Sequence, residues 1–155
     1  MATPEGSLNP GELCVGSAST GAPPVVLADA PYAGSARHAI SADGQRVVFG
    51  ANETAGEAAH PYLWDAAGVF RQLSSGGILS PPQISANGNL ALYASMDPAI
   101  YAYRVSTDET IRQTAFQIPI AYIDNATATA DASRIFFVAR AAVDPTSVLY
   151  TAPTR

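Results

Sequence analysis

Apolar residues in this chain fall in short continuous runs, Val47-Val48-Phe49, Leu90-Ala91-Leu92-Tyr93 and Ile135-Phe136-Phe137. They do not follow the i, i+3, i+4 spacing of an amphipathic helix. Unbroken runs of this length fit β-strands covered on both faces rather than strands with one wet face. Each run follows a polar turn of the same design: Ser41-Ala42-Asp43-Gly44, Ser85-Ala86-Asn87-Gly88 and Thr129-Ala130-Asp131-Ala132. The turns stand 44 residues apart, an interval that marks four-stranded propeller blades.

The rest of each interval fills in on that basis. The first full unit predicts strands at 36–41, 46–51, 61–65 and 69–74. An aromatic recurs on each third strand, Trp64, Tyr103 and Tyr150, and is read as packing between units. Residues 12–30 hold two short apolar runs separated by turn-formers, a hairpin that makes half a blade. Full blades follow at 36–75 and 80–117, an unfinished one at 123–155, and residues 1–11 read as a flexible lead-in. The predicted fold is all-β: β-propeller blades of four antiparallel strands, about three and a quarter of them, thirteen strands and no helix. The third turn has Ala132 in place of glycine, so it must either change conformation or carry strain.

The phrase Ile40-Ser41-Ala42-Asp43-Gly44 with Val47-Val48-Phe49, then Tyr62-Leu63-Trp64-Asp65 and Arg71-Gln72-Leu73, resembles the TolB-type propeller repeat, a relative of the WD repeat. The resemblance covers about residues 36–155. Ala42 and Ala86 stand where that family usually has proline. The resemblance implies a bacterial repeat scaffold, periplasmic or extracellular, that contacts other proteins or accompanies a hydrolase domain. Met1 to Pro10 lacks the basic and apolar regions of a secretory signal.

Composition narrows the partners. Eight basic residues, all arginine, face thirteen acidic ones, for a net charge of −5. Nucleic acid is excluded as an expectation, because a phosphate backbone calls for a clustered basic surface. Cys14 is the only cysteine, so neither an internal disulfide nor a thiolate zinc site can form. No run approaches a membrane span. No metal or cofactor is expected, and no Gly-x-Ser-x-Gly elbow offers a nucleophile.

Recognition is therefore expected on loops. Antiparallel strands place the strand-two-to-three loops at one end together with the crossings between blades. The separation of the strand-two and strand-three aromatics varies there, at 15, 10 and 13 residues. The binding candidates are Glu53, Glu57, His60, Asp97, Arg140 and Asp144, with His38 as a channel-lining residue on the first strand. The function read from the sequence is a non-catalytic scaffold for protein-protein interaction. The alternatives are the propeller portion of a larger prolyl-peptidase-like hydrolase, or a glycan-binding module. An open ring further predicts blades from a longer chain or a homo-oligomer.

Overall fold

The computed structural model describes residues 13–15, 25–28, 38–52, 57–114, 120–142, 144 and 146–155. They form thirteen strands and no helix. β1 (Leu13–Val15) pairs with β2 (Val25–Ala28). β3 (His38–Ile40), β4 (Arg46–Ala51), β5 (His60–Asp65) and β6 (Phe70–Gln72) form one antiparallel meander. β7 (Gln83–Ile84), β8 (Leu90–Ser95), β9 (Ala99–Arg104) and β10 (Glu109–Arg112) form a second. β11 (Ile120–Ala128), β12 (Arg134–Ala141) and β13 (Ser147–Pro153) form a three-stranded third. The first strands β3, β7 and β11 adjoin one another in series, so the sheets radiate from a common inner edge and do not close a ring.

The second strands explain why these residues stack as blades. In β4, Val48 packs with Leu63 and Leu73 against Ala91, Tyr93 and Tyr103 of the next sheet. Val47 and Phe49 point the other way, with Tyr62 and Trp64. β8 repeats this: Leu90, Leu92 and Ala94 meet Ile123, Ile135 and Phe137 of the third sheet. Burying a Leu or Ile side chain fully is worth about 1.5–3 kcal/mol, and Leu90, Leu92, Ile100, Ile123 and Ile135 are all essentially inaccessible. Two of the recurring aromatics lie between sheets: Tyr103 is buried against the first, and Tyr150 packs on the cluster shared with the second, while Trp64 packs on the Val47 and Phe49 cluster of its own sheet. On the far face of the third sheet, Leu149 is 68% exposed and Tyr122 51%.

The three turns are near copies at the atomic level. Ser41 Oγ donates to Asp43 Oδ1 at 2.6 Å, Ser85 Oγ to Asn87 Oδ1 at 2.7 Å, and Thr129 Oγ1 to Asp131 Oδ1 at 2.6 Å. The same hydroxyls accept the backbone N–H of Arg46, Leu90 and Arg134 at 3.0, 3.0 and 3.1 Å. Ser41 N–H closes on Arg46 O, Ser85 N–H on Leu90 O and Thr129 N–H on Arg134 O, each at 2.9 Å. Each loop therefore holds four residues, not the two of the tight hairpin that Asn87-Gly88 signals. The side-chain caps supply the hydrogen bonds that a wider loop leaves open.

Ala132 keeps the shared conformation and carries the strain: its φ of 61° matches 69° at Gly44 and 72° at Gly88. A left-handed alanine costs about 1–2 kcal/mol. Ala132→Gly should thus raise stability by about 0.5–1 kcal/mol once the added unfolded-state freedom is counted, seen as a higher denaturation midpoint at unchanged slope. Gly88→Ala should do the opposite and more, because its Cβ would stand 3.0 Å from Arg46 Nη1 and 3.3 Å from Ser41 Cβ.

The cap also makes the fold acid-sensitive. Thr129 and the backbone and hydroxyl of Ser133 hold the Asp131 carboxyl down to about 2, and Asp43 is lowered in the same way, chiefly by Ser41. A carboxylate held below its unfolded value of 3.8 stabilises the fold above that value, and the contribution is lost as pH falls through the folded one. Thermal midpoints should therefore be flat near neutrality and fall between about pH 4 and 2, less steeply in Asp131→Asn.

Candidate functional site

The two ends of the sheets differ in how completely their polar groups are satisfied. The end that carries the capped turns is stitched from blade to blade. Ala42 N–H donates to Ala86 O at 2.9 Å, and Arg46 donates to Asp65 Oδ2 at 2.8 Å and to Gly88 O at 3.3 Å. Arg71 pairs with Asp108, which also accepts the Tyr103 hydroxyl at 2.9 Å, and Arg104 Nε donates to Arg155 O at 3.0 Å. The opposite end holds the strand-two-to-three loops and the crossings. Among the described residues, the buried side-chain atoms without a hydrogen-bond partner are His60 Nδ1, Ser80 Oγ and Arg140 Nε, and all three lie at this end.

The crossing from the first blade to the second, residues 73–82, shapes that surface. It is pinned by Ile78 N–H to Ala59 O at 2.8 Å, Leu79 N–H to Ala94 O at 2.9 Å and Met96 N–H to Gly77 O at 3.0 Å. Gly77 is required for the passage: a Cβ there would lie 2.5 Å from Ala58 Cβ and 2.8 Å from Met96 Sδ. On one side of the crossing lies a cleft of about 550 Å³ lined by Ser74, Tyr93, Ser95, Met96, Asp97 and Tyr101, among others. This is within the range of small-ligand sites. On the other side a smaller cleft of about 270 Å³ runs past Gly50, Ala59 and Ile78 to Pro82.

Asp97 belongs to the larger cleft. It accepts hydrogen bonds from Ser95 Oγ and from the Tyr101 hydroxyl, the latter at 3.0 Å. Ser95 first, then Tyr101 and the field of Arg112, lower its pKa against the opposing effect of burial. Tyr101 stacks on Tyr93 at 5.5 Å with 13° between the rings, and burial pushes both phenols up. The arrangement is an ionised carboxylate beside an aromatic pair and several hydroxyls, suited to accept hydrogen bonds or a cation.

The other sequence candidates are spread along the same end. Glu57 is exposed, and its carbonyl accepts from Asn52 Nδ2 at 2.7 Å. His60 begins β5 rather than sitting in a loop before it. Arg140 also lies in a strand, because β12 runs to Ala141; it donates to Asp124 at 2.6 Å and lies over the Tyr122 ring at 5.2 Å. The long third sheet buries alternate residues of β12 against its neighbour, which extends that strand past the expected loop. Asp144 is exposed and accepts the Thr146 N–H at 2.9 Å. His38 opens the inner strand β3, with its side chain exposed. Glu53 lies outside the described residues. Among the described residues no group of three or more His, Cys, Asp or Glu is placed to hold a metal ion.

Tyr93, Tyr101, Ser95 and Ser80 were not singled out by sequence reasoning. The signal available was the crossing itself, Ser74-Ser75-Gly76-Gly77 and Ser80-Pro81-Pro82, whose small and Pro residues leave space at a blade junction.

No family model matches the sequence, and no curated protein matches it. Solved structures do match the fold. TolB from Acinetobacter baumannii superposes with a TM-score of 0.60 at 18% identity, over 92% of this chain and 38% of its own. TolB from Agrobacterium tumefaciens gives 0.58 at 17%, over 87% and 50%. The β-propeller domain of the Trilobed protease from Pyrococcus furiosus gives 0.59 at 10%, over 76% and 38%. This chain thus spans half or less of the length of each of these three.

The carboxylate in the larger cleft offers a direct check. Ser95→Ala should raise the Asp97 pKa toward its ordinary value, followed by carboxyl-carbon NMR titration; an unmoved titration would show that Ser95 is not its main partner. The stacked, capped and radially arranged sheets, together with these superpositions, make the chain a partial β-propeller of TolB-like fold.

Proposed function

We propose that this chain is a non-catalytic propeller portion that binds another protein through the end carrying its strand-two-to-three loops and blade crossings. The observation that carries the reading is the contrast between the two ends. One is closed by capped turns and inter-blade bonds; the other holds both clefts described above and the unpartnered atoms of His60, Ser80 and Arg140. Unsatisfied buried polar groups are costly, so this end is the less completely bonded of the two. Glu57, Asp97 and Asp144 give the end an acidic character, and hydrogen bonds hold the last two carboxyls below their usual range. A partner with basic contact residues fits it.

A second reading, the propeller portion of a larger hydrolase, is supported by the likeness to the β-propeller domain of a protease. The glycan reading is weakened by Trp64, which packs against the Val47 and Phe49 cluster instead of standing free. Blades from a longer chain or a second copy would cover Leu149 and Tyr122 on the open sheet face. We also place the protein outside the cytoplasm, on the strength of the TolB likeness; no helix among the described residues is long and apolar enough to cross a membrane.

A photo-crosslinking residue at position 57 or 97 should give adducts with another protein in the cells that make this chain. The same residue at 87 or 131, on the capped end, should give none. Equal adducts from both ends, or none from either, would defeat the proposal.

A further inference from the structure

Arginine is handled in one way twice in this chain. Arg71 pairs with Asp108 and lies over the Tyr103 ring, 5.8 Å from its centre, while the Tyr103 hydroxyl donates to the same carboxylate at 2.9 Å. Arg140 pairs with Asp124 at 2.6 Å and lies over the Tyr122 ring at 5.2 Å. In both sets an aspartate takes the charge and a tyrosine ring takes the flat guanidinium. The larger cleft holds a third aspartate and tyrosine of the same make, because the Tyr101 hydroxyl donates to Asp97 Oδ2 at 3.0 Å as Tyr103 does to Asp108. Among the described residues no arginine completes it: the ion pairs join Arg46 to Asp65, Arg71 to Asp108 and Arg140 to Asp124. Arg112 stands across the ladder from Tyr101 and its field reaches Asp97, but its Nε is committed to Thr114 O at 3.0 Å.

We propose that the larger cleft receives an arginine side chain of a partner protein, its guanidinium pairing with Asp97 beside Tyr101. The carboxylate has room for it. Ser95 Oγ donates to Oδ1 and the Tyr101 hydroxyl to Oδ2, which uses one acceptor position on each oxygen and leaves one on each. Two free positions side by side match the fork of a guanidinium, whereas an ammonium is a point charge that gains nothing from the second. Asp97 itself is exposed at the cleft, so a side chain reaches it without unfolding anything. Met96, 57% exposed on the same wall, offers apolar surface to the aliphatic stem behind the charged head. A cleft of about 550 Å³ admits a whole side chain. The inference rests on the reading of this end as the recognition face, and adds which residue of the partner enters it and what holds it there.

The test is an amide NMR titration of the whole chain with N-acetyl-arginine methylamide, using the citrulline and lysine counterparts as controls. Saturable shifts centred on Gly76, Gly77, Ser95, Met96, Asp97 and Tyr101 are expected with the arginine probe. Citrulline keeps the shape and loses the charge, and should bind about three- to fivefold more weakly, the scale of an exposed ion pair; lysine should fall between the two. Asp97→Asn should weaken the arginine probe by the same factor, and the comparison of probes on the unaltered chain stands even if that variant does not fold. Absence of saturable shifts at those amides, equal binding of arginine and citrulline, or lysine binding as tightly as arginine would overturn the proposal. So would arginine binding that emerges only in Arg112→Gln, since the chain's own arginine would then hold the place. Crosslinks from position 57 without arginine-specific shifts would sink the assignment of the cleft alone, whereas arginine-specific shifts without crosslinks from either position would sink the recognition face on which it rests.

Discussion

The fold depends on second strands that bury both faces, as β4 and β8 do; β12, expected to do the same, buries only alternate residues because its far face has no neighbour among the described residues. A strand in a two-layer protein has one side for the core and one for water. β4 and β8 have neither free, because Val47 and Phe49 pack to one side and Val48 to the other, and Leu90 and Leu92 oppose Ala91 and Tyr93. That requirement can be met only by sheets on both sides, so each blade is stabilised chiefly by its neighbours. Stability in such an array is close to a sum over blade interfaces, and the exposed far face of the third sheet is the same design with no neighbour in place.

The capped turns solve a different problem, that of fixing register. A slip of one residue would swap the two faces of a strand. In a blade with distinct packing on each side that would misplace every large side chain. The Ser or Thr hydroxyl, which links the Asx side chain to the N–H of the first strand residue, locks the start of each second strand. Ala132 accepts a left-handed backbone within the same hydrogen-bond set, which shows that the cap dominates the glycine. With one end of the sheets committed to this work, the other end, where the connections vary in length, is free to carry clefts.

Much of the architecture was legible in the sequence because it is local and repeated. The 44-residue interval, the polar turns, the apolar runs and the recurring aromatics each report on a few adjacent residues, and strand order in a meander follows from chain order alone. That the strand-two-to-three loops and the crossings share one end was legible too, from antiparallel direction. The clefts themselves were not. Asp97 was visible as a loop acid, but Tyr93 and Tyr101 lie on two strands, and Ser74 comes from the crossing after the preceding blade. Arg140 and His60 read as loop residues and proved to be strand residues, since ladder pairing extended past the polar boundary.

Thus the sequence alone determined the all-β class, the repeat, the placement of the turns and the two-faced strands, because those rest on side-chain periodicity and hydrogen bonds between near neighbours. Tertiary structure decided which faces met, how Ala132 resolved its conflict, where Ser80 lost its partners and how the crossing at Gly77 divided two clefts. Those outcomes depend on the close approach of segments from different blades, a distance that no pattern along one strand encodes.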